Sequence, residues 1–384
     1  MKFDLTEEHL MIRDAARDFA QNELLPGVIE RDENQTFPSD QVKKMPELGI
    51  MGMMVSPDYG GGGMDTISYV LAMEEISKVD ASAAVIMSVN NSLVCWGLET
   101  YGTKEQKDKY LRTLASGETI GAFCLSEPES GSDATQQKTT AQDKGDHYLL
   151  NGTKNWITHG LSGDVAVVLI RTGDLLDSNG ITAFIIEKGT PGFSSGKKED
   201  KLGIRSSDTC TLVLNNCKVP KENVLGEVGK GFPIAMNALD NSRIGIAAQG
   251  LGIAQGAYEA ALKYSKERKT FGKPIAAHQS ISNYLADMAV KIDAARLQVY
   301  KAAWAKQEHY ENGSARHTLE ASIAKLNAGD TAMWVSERAV QVLGGYGYTK
   351  DFPVERFFRD AKITQIYEGT QEVQRLVIAR EISK

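Results

Sequence analysis

Val165-Ala166-Val167-Val168-Leu169-Ile170, Ile181-Thr182-Ala183-Phe184-Ile185-Ile186 and Cys210-Thr211-Leu212-Val213-Leu214 are three short, apolar, β-branched runs bounded by Gly, Asn and Asp. Such runs read as strands, and several at close spacing predict a small antiparallel β domain between about Ile120 and Pro220. Within it, Tyr148-Leu149-Leu150-Asn151-Gly152-Thr153-Lys154 carries an Asn-Gly pair, which predicts a hairpin turn. On both sides the period becomes helical. Upstream, Thr6 is placed to cap a helix whose first turn holds Glu7 and Glu8. Ile12, Ala15, Ala16, Phe19 and Ala20 then share one helix face. Leu48 to Gly63 reads as loop and short structure, Met64–Val79 as helix, and Ala81 to Leu98 as an apolar stretch. Downstream of about Gly231 the chain is Ala-rich and helical, broken after Gly272 at Pro274 and again at Gly344-Gly345, where the helix carrying Ala332–Leu343 ends. The order is helices, small β domain, helices.

The 384 residues suit two or three domains of roughly 150 residues each. With 42% hydrophobic and 24% charged residues, the composition is that of an ordinary globular protein. The net charge of −7 is spread with both signs interspersed, which leaves no basic stripe for nucleic acid. No uninterrupted apolar run reaches the ~18 residues of a membrane span, so none is expected. The start of the chain, Met1-Lys2-Phe3-Asp4, has neither signal-peptide nor transit-peptide character. A cytoplasmic location is therefore expected, with a mature mitochondrial form as the alternative. Cys95, Cys124, Cys210 and Cys217 form no C-x-x-C pair and read as reduced thiols. The six histidines form no metal-binding spacing, so no metal is expected.

Several motifs have two readings each. Gly250-Leu251-Gly252-Ile253-Ala254-Gln255-Gly256 resembles a dinucleotide fingerprint, but its spacing is one residue off and no strand precedes it; small residues here let helices pack closely. The polar loop Leu125-Ser126-Glu127-Pro128-Glu129-Ser130-Gly131-Ser132-Asp133 reads first as a surface turn, and it can also offer N–H and hydroxyl donors to a ligand. Trp156 is either a half-buried core residue or a flat stacking surface for a planar cofactor, with Thr158 beside it. Arg268-Lys269-Thr270-Phe271-Gly272-Lys273 is a solvated charge run or a pyrophosphate site. In Tyr367-Glu368-Gly369-Thr370 a carboxylate precedes a glycine among apolar neighbours, and Thr370 is placed to cap the last helix.

In this order, along essentially the whole chain, these motifs resemble the acyl-CoA dehydrogenase family, most closely its short-chain, butyryl-CoA branch. Gly196 to Arg205, Gln341-Val342-Leu343-Gly344-Gly345-Tyr346-Gly347 and Arg359-Asp360-Ala361-Lys362 add to the likeness. The resemblance implies an α+β multidomain fold: a helical domain over 1–118, a β-barrel-like domain over 119–226 and a four-helix-bundle-like domain over 227–384. It implies a homotetramer with one FAD per subunit and FAD sites shared between subunits. Phe123, Cys124, Leu125, Ser126, Gly131 and Ser132 would line the flavin, with Ser132 also touching CoA. Trp156, Ile157 and Thr158 would cover one flavin edge. Arg268, Thr270, Phe271, Gln279, Gln341, Val342, Leu343, Gly344 and Gly345 would reach a neighbouring subunit's FAD. Thr370, Gln371 and Glu372 would meet its phosphate and adenosine side. Asp240, Asn241, Ser242, Arg243, Tyr367 and Gly369 would meet acyl-CoA, and Glu368 would be the base. At Glu129-Ser130 the loop departs from the small or glycine residues common in relatives.

The implied reaction converts a saturated acyl-CoA to a trans-2-enoyl-CoA. Glu368 would remove the α-proton, FAD N5 would take the β-hydride, and an electron-transfer flavoprotein would receive the electrons. A carboxylate shielded from water is a stronger base, and donors at the thioester oxygen stabilise the developing enolate. Some relatives carry the base at the position of Ser242; Glu368 here favours straight-chain substrates. Asp80 to Ser92, expected along the acyl pocket, lacks the Lys or Arg that a dicarboxylyl substrate needs. Another chain length, an oxidase and a non-catalytic acyl-CoA-binding subunit are the alternative readings.

Overall fold

The computed structural model describes residues 4–173, 178–313 and 316–384. The first helix, Glu7–Phe19, starts at Thr6, whose side chain accepts from His9 N at 3.2 Å while Thr6 N donates to His9 Nδ1. Ala16, Phe19 and Ala20 are buried and Ile12 half-buried, but Ala15 is exposed, so the apolar stripe is narrower than its spacing predicts. Thr66–Ser77 follows, capped by Asp65, which accepts from Ser68 N at 2.7 Å.

Asp80 caps the next helix, accepting from Ser82 and Ala83 N. This helix, Ala81–Tyr101, is long and apolar enough to cross a membrane, although no uninterrupted apolar run marks it in the sequence. Here it is a core helix, with 94% of its most apolar window buried in the protein. Its centre, Val89–Cys95, widens to a π-helix and carries two buried asparagines. Asn91 accepts from Met53 N and donates to Ile50 O and Met87 O. Asn90 donates to Met51 O and Leu114 O and accepts from Gly121 N at 3.0 Å. Asn90 thus fastens the helical N-terminal region to the first strand of the β domain. Buried amides need such partners, and these are fully supplied.

The β domain has eight strands: β1 Gly121–Cys124, β2 Thr140–Asp143, β3 His147–Thr158, β4 Val165–Arg171, β5 Ile181–Glu187, β6 Phe193–Lys198, β7 Thr209–Pro220 and β8 Val224–Leu225. Their order is β6-β7-β3-β2-β4-β5-β8, with β1 also against β4. Two expectations are corrected. The sheet is mostly antiparallel but not wholly so, because β1 and β2 both run parallel to β4. Asn151-Gly152 makes no hairpin; it lies inside β3 at a register shift between Leu150 and Gly152. The glycine serves a close approach there: a Cβ on Gly152 would stand 2.7 Å from the Thr139 Cα, and its φ is +144°.

The C-terminal region is built on Gly231–Glu267, Gln279–Asn312 and Thr318–Leu343, followed by the shorter Val354–Ala361 and Gln371–Ile382. The small residues of the first of these serve packing, as the spacing suggested. A Cβ on Gly252 would lie 2.4 Å from Glu74 O, and one on Gly256 2.5 Å from Lys78 O. Between the first two helices, Lys269–Thr270 pairs with Lys273–Pro274, and Phe271 and Gly272 turn the corner with φ of +51° and +80°. Asp360 accepts from Ile204 N at 2.5 Å and so ties a β-domain loop to this region.

Candidate active site

Glu368 sits between the short turn Lys362–Gln365 and the helix Gln371–Ile382. Its φ is +54° and that of Gly369 is +93°. A left-handed non-glycine residue is uncommon and persists where its surroundings fix it. Here three side chains hold the turn by its carbonyls. Arg243 Nε donates to Glu368 O at 3.2 Å, Gln374 Nε2 donates to Glu368 O and Gly369 O at 3.2 and 3.0 Å, and Lys325 Nζ donates to Gly369 O at 2.7 Å. Arg243 is itself oriented by Asp240 Oδ1 at 2.6 Å, and Asp240 Oδ2 accepts from Thr318 Oγ1 at 2.6 Å. Thr370 caps the last helix, accepting from Val373 N, as its place in the sequence predicts.

The fixed carboxylate is shielded. Glu368 Oε2 is enclosed and has no hydrogen-bond partner, although the residue as a whole is half-buried. Burial pushes this carboxyl up to about 7, against the opposing pull of the Ser242 hydroxyl, Lys325 and Arg243. Ser242 stands close without a well-formed bond, and its hydroxyl is also buried and unpaired. Burial lowers Lys325 to about 8 and lowers Arg243, with Glu368 raising both. Tyr367 OH donates to Gln249 Oε1. Among the described residues no hydrogen bond engages the Glu368 N–H.

The predicted substrate residues Asp240, Arg243, Tyr367 and Gly369 therefore meet around Glu368, with Ser242 beside them. Asn241 is buried, donating to Asn237 O and accepting from Tyr310 OH. Sequence reasoning missed Lys325, Gln374 and Gln249. Lys325 carried a signal, a lone cation among Ala321, Ala324 and Ala328.

The predicted flavin residues gather on the β domain. Phe123 and Cys124 end β1, followed by the loop that holds Leu125 and Ser126. Ser126 O accepts from Asn155 N at 2.9 Å, joining that loop to Trp156, Ile157 and Thr158 on β3. The Trp156 side chain turns outward, 62% exposed with φ +60°, which excludes the half-buried core reading. The Cys124 and Ile157 side chains face the interior of the sheet domain. Gly131 and Ser132 are exposed. A buried pair missed in the sequence braces the loop: Lys154 Nζ donates to Glu127 Oε1 at 2.7 Å and to Leu125 O at 3.2 Å. At the position of departure, Glu129 is exposed and pairs with Lys138, while buried Ser130 donates to Asp133 O at 2.7 Å. Neither residue has a positive φ, so both side chains are accommodated without strain.

The remaining predicted residues fall in two places. Arg268 is exposed with its guanidinium over the Tyr346 ring, Thr270 is half-buried, and Phe271 is 96% exposed. Gln279, Gln341, Gly344 and Gly345 are exposed, whereas the Val342 and Leu343 side chains belong to this chain's own core. Thr370, Gln371 and Glu372 line a cleft of about 320 Å³ with Asp330, Lys362 and Arg375. An outward indole beside a donor-bearing loop offers a flat surface suited to a planar cofactor, and the cleft offers two cations, Lys362 and Arg375, alongside two carboxylates, with Arg375 3.4 Å from Asp330. A second recess of about 200 Å³ is lined by His159, Lys188, Phe193 and other β-domain residues, none of them at this site.

Comparison with known proteins gives the same picture. The chain matches "Acyl-CoA dehydrogenase, N-terminal domain" over residues 6–118, "Acyl-CoA dehydrogenase, middle domain" over 122–217 and "Acyl-CoA dehydrogenase, C-terminal domain" over 229–383. It is 51% identical over 382 residues to a short-chain specific acyl-CoA dehydrogenase of Clostridium acetobutylicum, covering 100% of both chains. Among solved structures it is similar to butyryl-CoA dehydrogenase from Megasphaera elsdenii, with TM-score 0.97, 48% identity and 100% of both chains covered. A chain from a structure described as an electron transferring flavoprotein of Acidaminococcus fermentans matches with TM-score 0.97 and 50% identity, over 100% of this chain and 99% of that one. A glutaryl-CoA dehydrogenase of Mycobacterium smegmatis in complex with FADH2 matches at TM-score 0.93 and 32% identity, over 99% and 95%. The helical and sheet domains, the bound turn at Glu368 and these full-length likenesses agree: the chain belongs to the acyl-CoA dehydrogenase family and is an FAD-dependent acyl-CoA dehydrogenase.

Proposed function

We propose that this enzyme dehydrogenates short-chain acyl-CoA thioesters of the butyryl type to trans-2-enoyl-CoA, with Glu368 as the base. The observation that carries the reading is the Glu368 carboxylate, enclosed, unpaired and held in a left-handed turn by Arg243, Lys325 and Gln374. The α-proton of a thioester is weakly acidic, so its removal needs a carboxylate more basic than one in water. Burial supplies that shift. Fixing the turn by its carbonyls leaves the Glu368 N–H to donate to a thioester oxygen, where one such donor is worth roughly 10²–10³ in rate. FAD, when bound, supplies the acceptor for the β-hydride. Phe123 to Ser126, Ser132, Trp156 to Thr158 and Thr370 to Glu372 would hold it, and the outward Trp156 side chain would shield one edge from water.

Arg268, Phe271, Gln279 and the Gln341–Gly345 region would serve the FAD of a neighbouring copy in a homotetramer. The exposure of Arg268, Phe271, Gln279, Gln341, Gly344 and Gly345 on this chain supports that assignment. An electron-transfer flavoprotein is the proposed electron acceptor, supported by the Acidaminococcus likeness. Chain-length preference is tested by an anaerobic dye-coupled assay over acyl-CoA substrates from butyryl upward. The kcat/KM maximum is expected at butyryl-CoA, and a maximum at octanoyl or longer would overturn the short-chain assignment.

A further inference from the structure

Ser242, Gly245 and Gln249 stand at i, i+3 and i+7 on the Gly231–Glu267 helix and so share one face. That face looks onto the candidate site at both ends, because Ser242 adjoins Glu368 and Gln249 accepts from Tyr367 OH. Midway between them is a glycine, and the space its missing side chain leaves is filled from another element. A Cβ on Gly245 would lie 2.5 Å from Tyr69 Oη, 2.9 Å from Ser88 Oγ and 3.3 Å from Tyr69 Cε1. Tyr69 comes from the Thr66–Ser77 helix and is 1% exposed. Its hydroxyl donates to Ser88 Oγ at 3.1 Å, and Ser88 Oγ lies 3.5 Å from Ser92 Oγ one turn further along the Ala81–Tyr101 helix. Ser92 Oγ donates in turn to Ser88 O at 2.6 Å. A phenol tip anchored by two buried serines therefore projects over the middle of the face that begins at the base.

We propose that Tyr69, seated over Gly245 and anchored to Ser88, sets the depth of the acyl cavity and is the residue that excludes longer acyl chains. The inference rests on the acyl-CoA reading above and deepens it. A thioester placed with its α-carbon at Glu368 would lead its acyl tail along the helix face that carries Ser242 and Gln249, towards the phenol seated over Gly245. The phenol is rigid, with no rotatable bond beyond the ring, and its anchor removes the freedom to swing aside.

The test compares kcat/KM for butyryl-CoA and octanoyl-CoA in the holoenzyme and its variants. Shortening the phenol in Tyr69→Ala should raise the octanoyl-to-butyryl ratio by at least about tenfold, the scale on which methylene-sized changes in an apolar pocket discriminate substrates. Tyr69→Phe keeps the ring but loses the hydroxyl tip and its bond to Ser88, so it should raise the ratio by less than Tyr69→Ala does. Gly245→Ala added to Tyr69→Ala refills part of the space and should reverse part of the change. A role in packing alone would lower turnover of both substrates by the same factor. An unchanged ratio in Tyr69→Ala with FAD retained overturns the proposal. If that variant fails to load FAD, Tyr69→Leu, which removes the outer half of the phenol, takes its place: a raised ratio is expected, and an unchanged one again overturns the proposal. Wild-type turnover of butyryl-CoA is measured in the same series; its absence would refute the underlying substrate reading instead.

Discussion

A carboxylate that must take a proton from carbon has to be ionised and yet strongly basic, and the surroundings of Glu368 balance these demands. Burial raises its pKa to about 7, while Lys325, Arg243 and Ser242 limit the rise. Flavin reduction by substrate should therefore increase with pH through about 7 as the base ionises. Lys325→Met removes a cation that favours the charged carboxylate and should move this limb to higher pH. Stopped-flow reduction rates across pH on FAD-loaded enzyme check it, and an unshifted or downward-shifted limb would count against the coupling. For stability the sign is the opposite of an ordinary salt-bridged carboxylate. The folded pKa lies above the unfolded one, so the native state holds the extra proton. The stability contributed by protonated Glu368 is full below about 4.5 and is lost as pH rises through about 7. None of the residues that hold the Glu368 turn is its neighbour in sequence except Gln374. The candidate base came from the family resemblance, because Tyr367-Glu368-Gly369-Thr370 alone reads as a surface or capping carboxylate, and Lys325 and Arg243 reach it only through the packing of other helices.

Helices and strands show where local sequence rules hold and where they fail. The Gly250 to Gly256 stretch was legible as a packing device, because small residues inside a helix have few other uses. Gly252→Ala should be destabilising by about 1–3 kcal/mol, since its Cβ would meet the Glu74 carbonyl. A melting temperature equal to wild type would contradict that close contact. Asn151-Gly152 misled for the converse reason. The pair's turn propensity is local, but the close approach of Thr139 and the pairing of Asn216 N to Asn151 Oδ1 at 2.8 Å keep β3 continuous. Trp156 could not be placed from sequence because a positive φ, invisible there, turns it outward. The Glu127–Lys154 pair was equally hidden, being 27 positions apart and joined only by the fold of the sheet. Lys154→Met should leave Glu127 buried without its cation and destabilise by roughly 3–5 kcal/mol. It should also loosen the Leu125–Ser126 loop. A thermal melt with FAD release followed in parallel checks both effects, and unchanged FAD affinity would show that the pair does not position the loop for the flavin.

At the level of the whole molecule, links such as Asn90 to Gly121 and Asp360 to Ile204 hold the helical regions and the sheet in one arrangement. The proposed sharing of FAD between copies has a consequence that single chains lack. Glu368→Gln alone should be inactive and Arg268→Ala alone should bind FAD weakly. An assembly mixed from the two, carrying different tags, should contain some sites with neither lesion and recover part of the activity at limiting FAD. Activity no higher than that of the better single mutant would place Arg268 at its own chain's flavin. The central claim, that Glu368 removes the α-proton, is tested most directly by mixing FAD-loaded Glu368→Gln with butyryl-CoA anaerobically and following flavin absorbance. The amide keeps the shape of the side chain and cannot accept a proton. Binding should be retained while the bleaching rate falls by about 10²–10⁴ or more; bleaching at a rate near wild type would show that another group is the base.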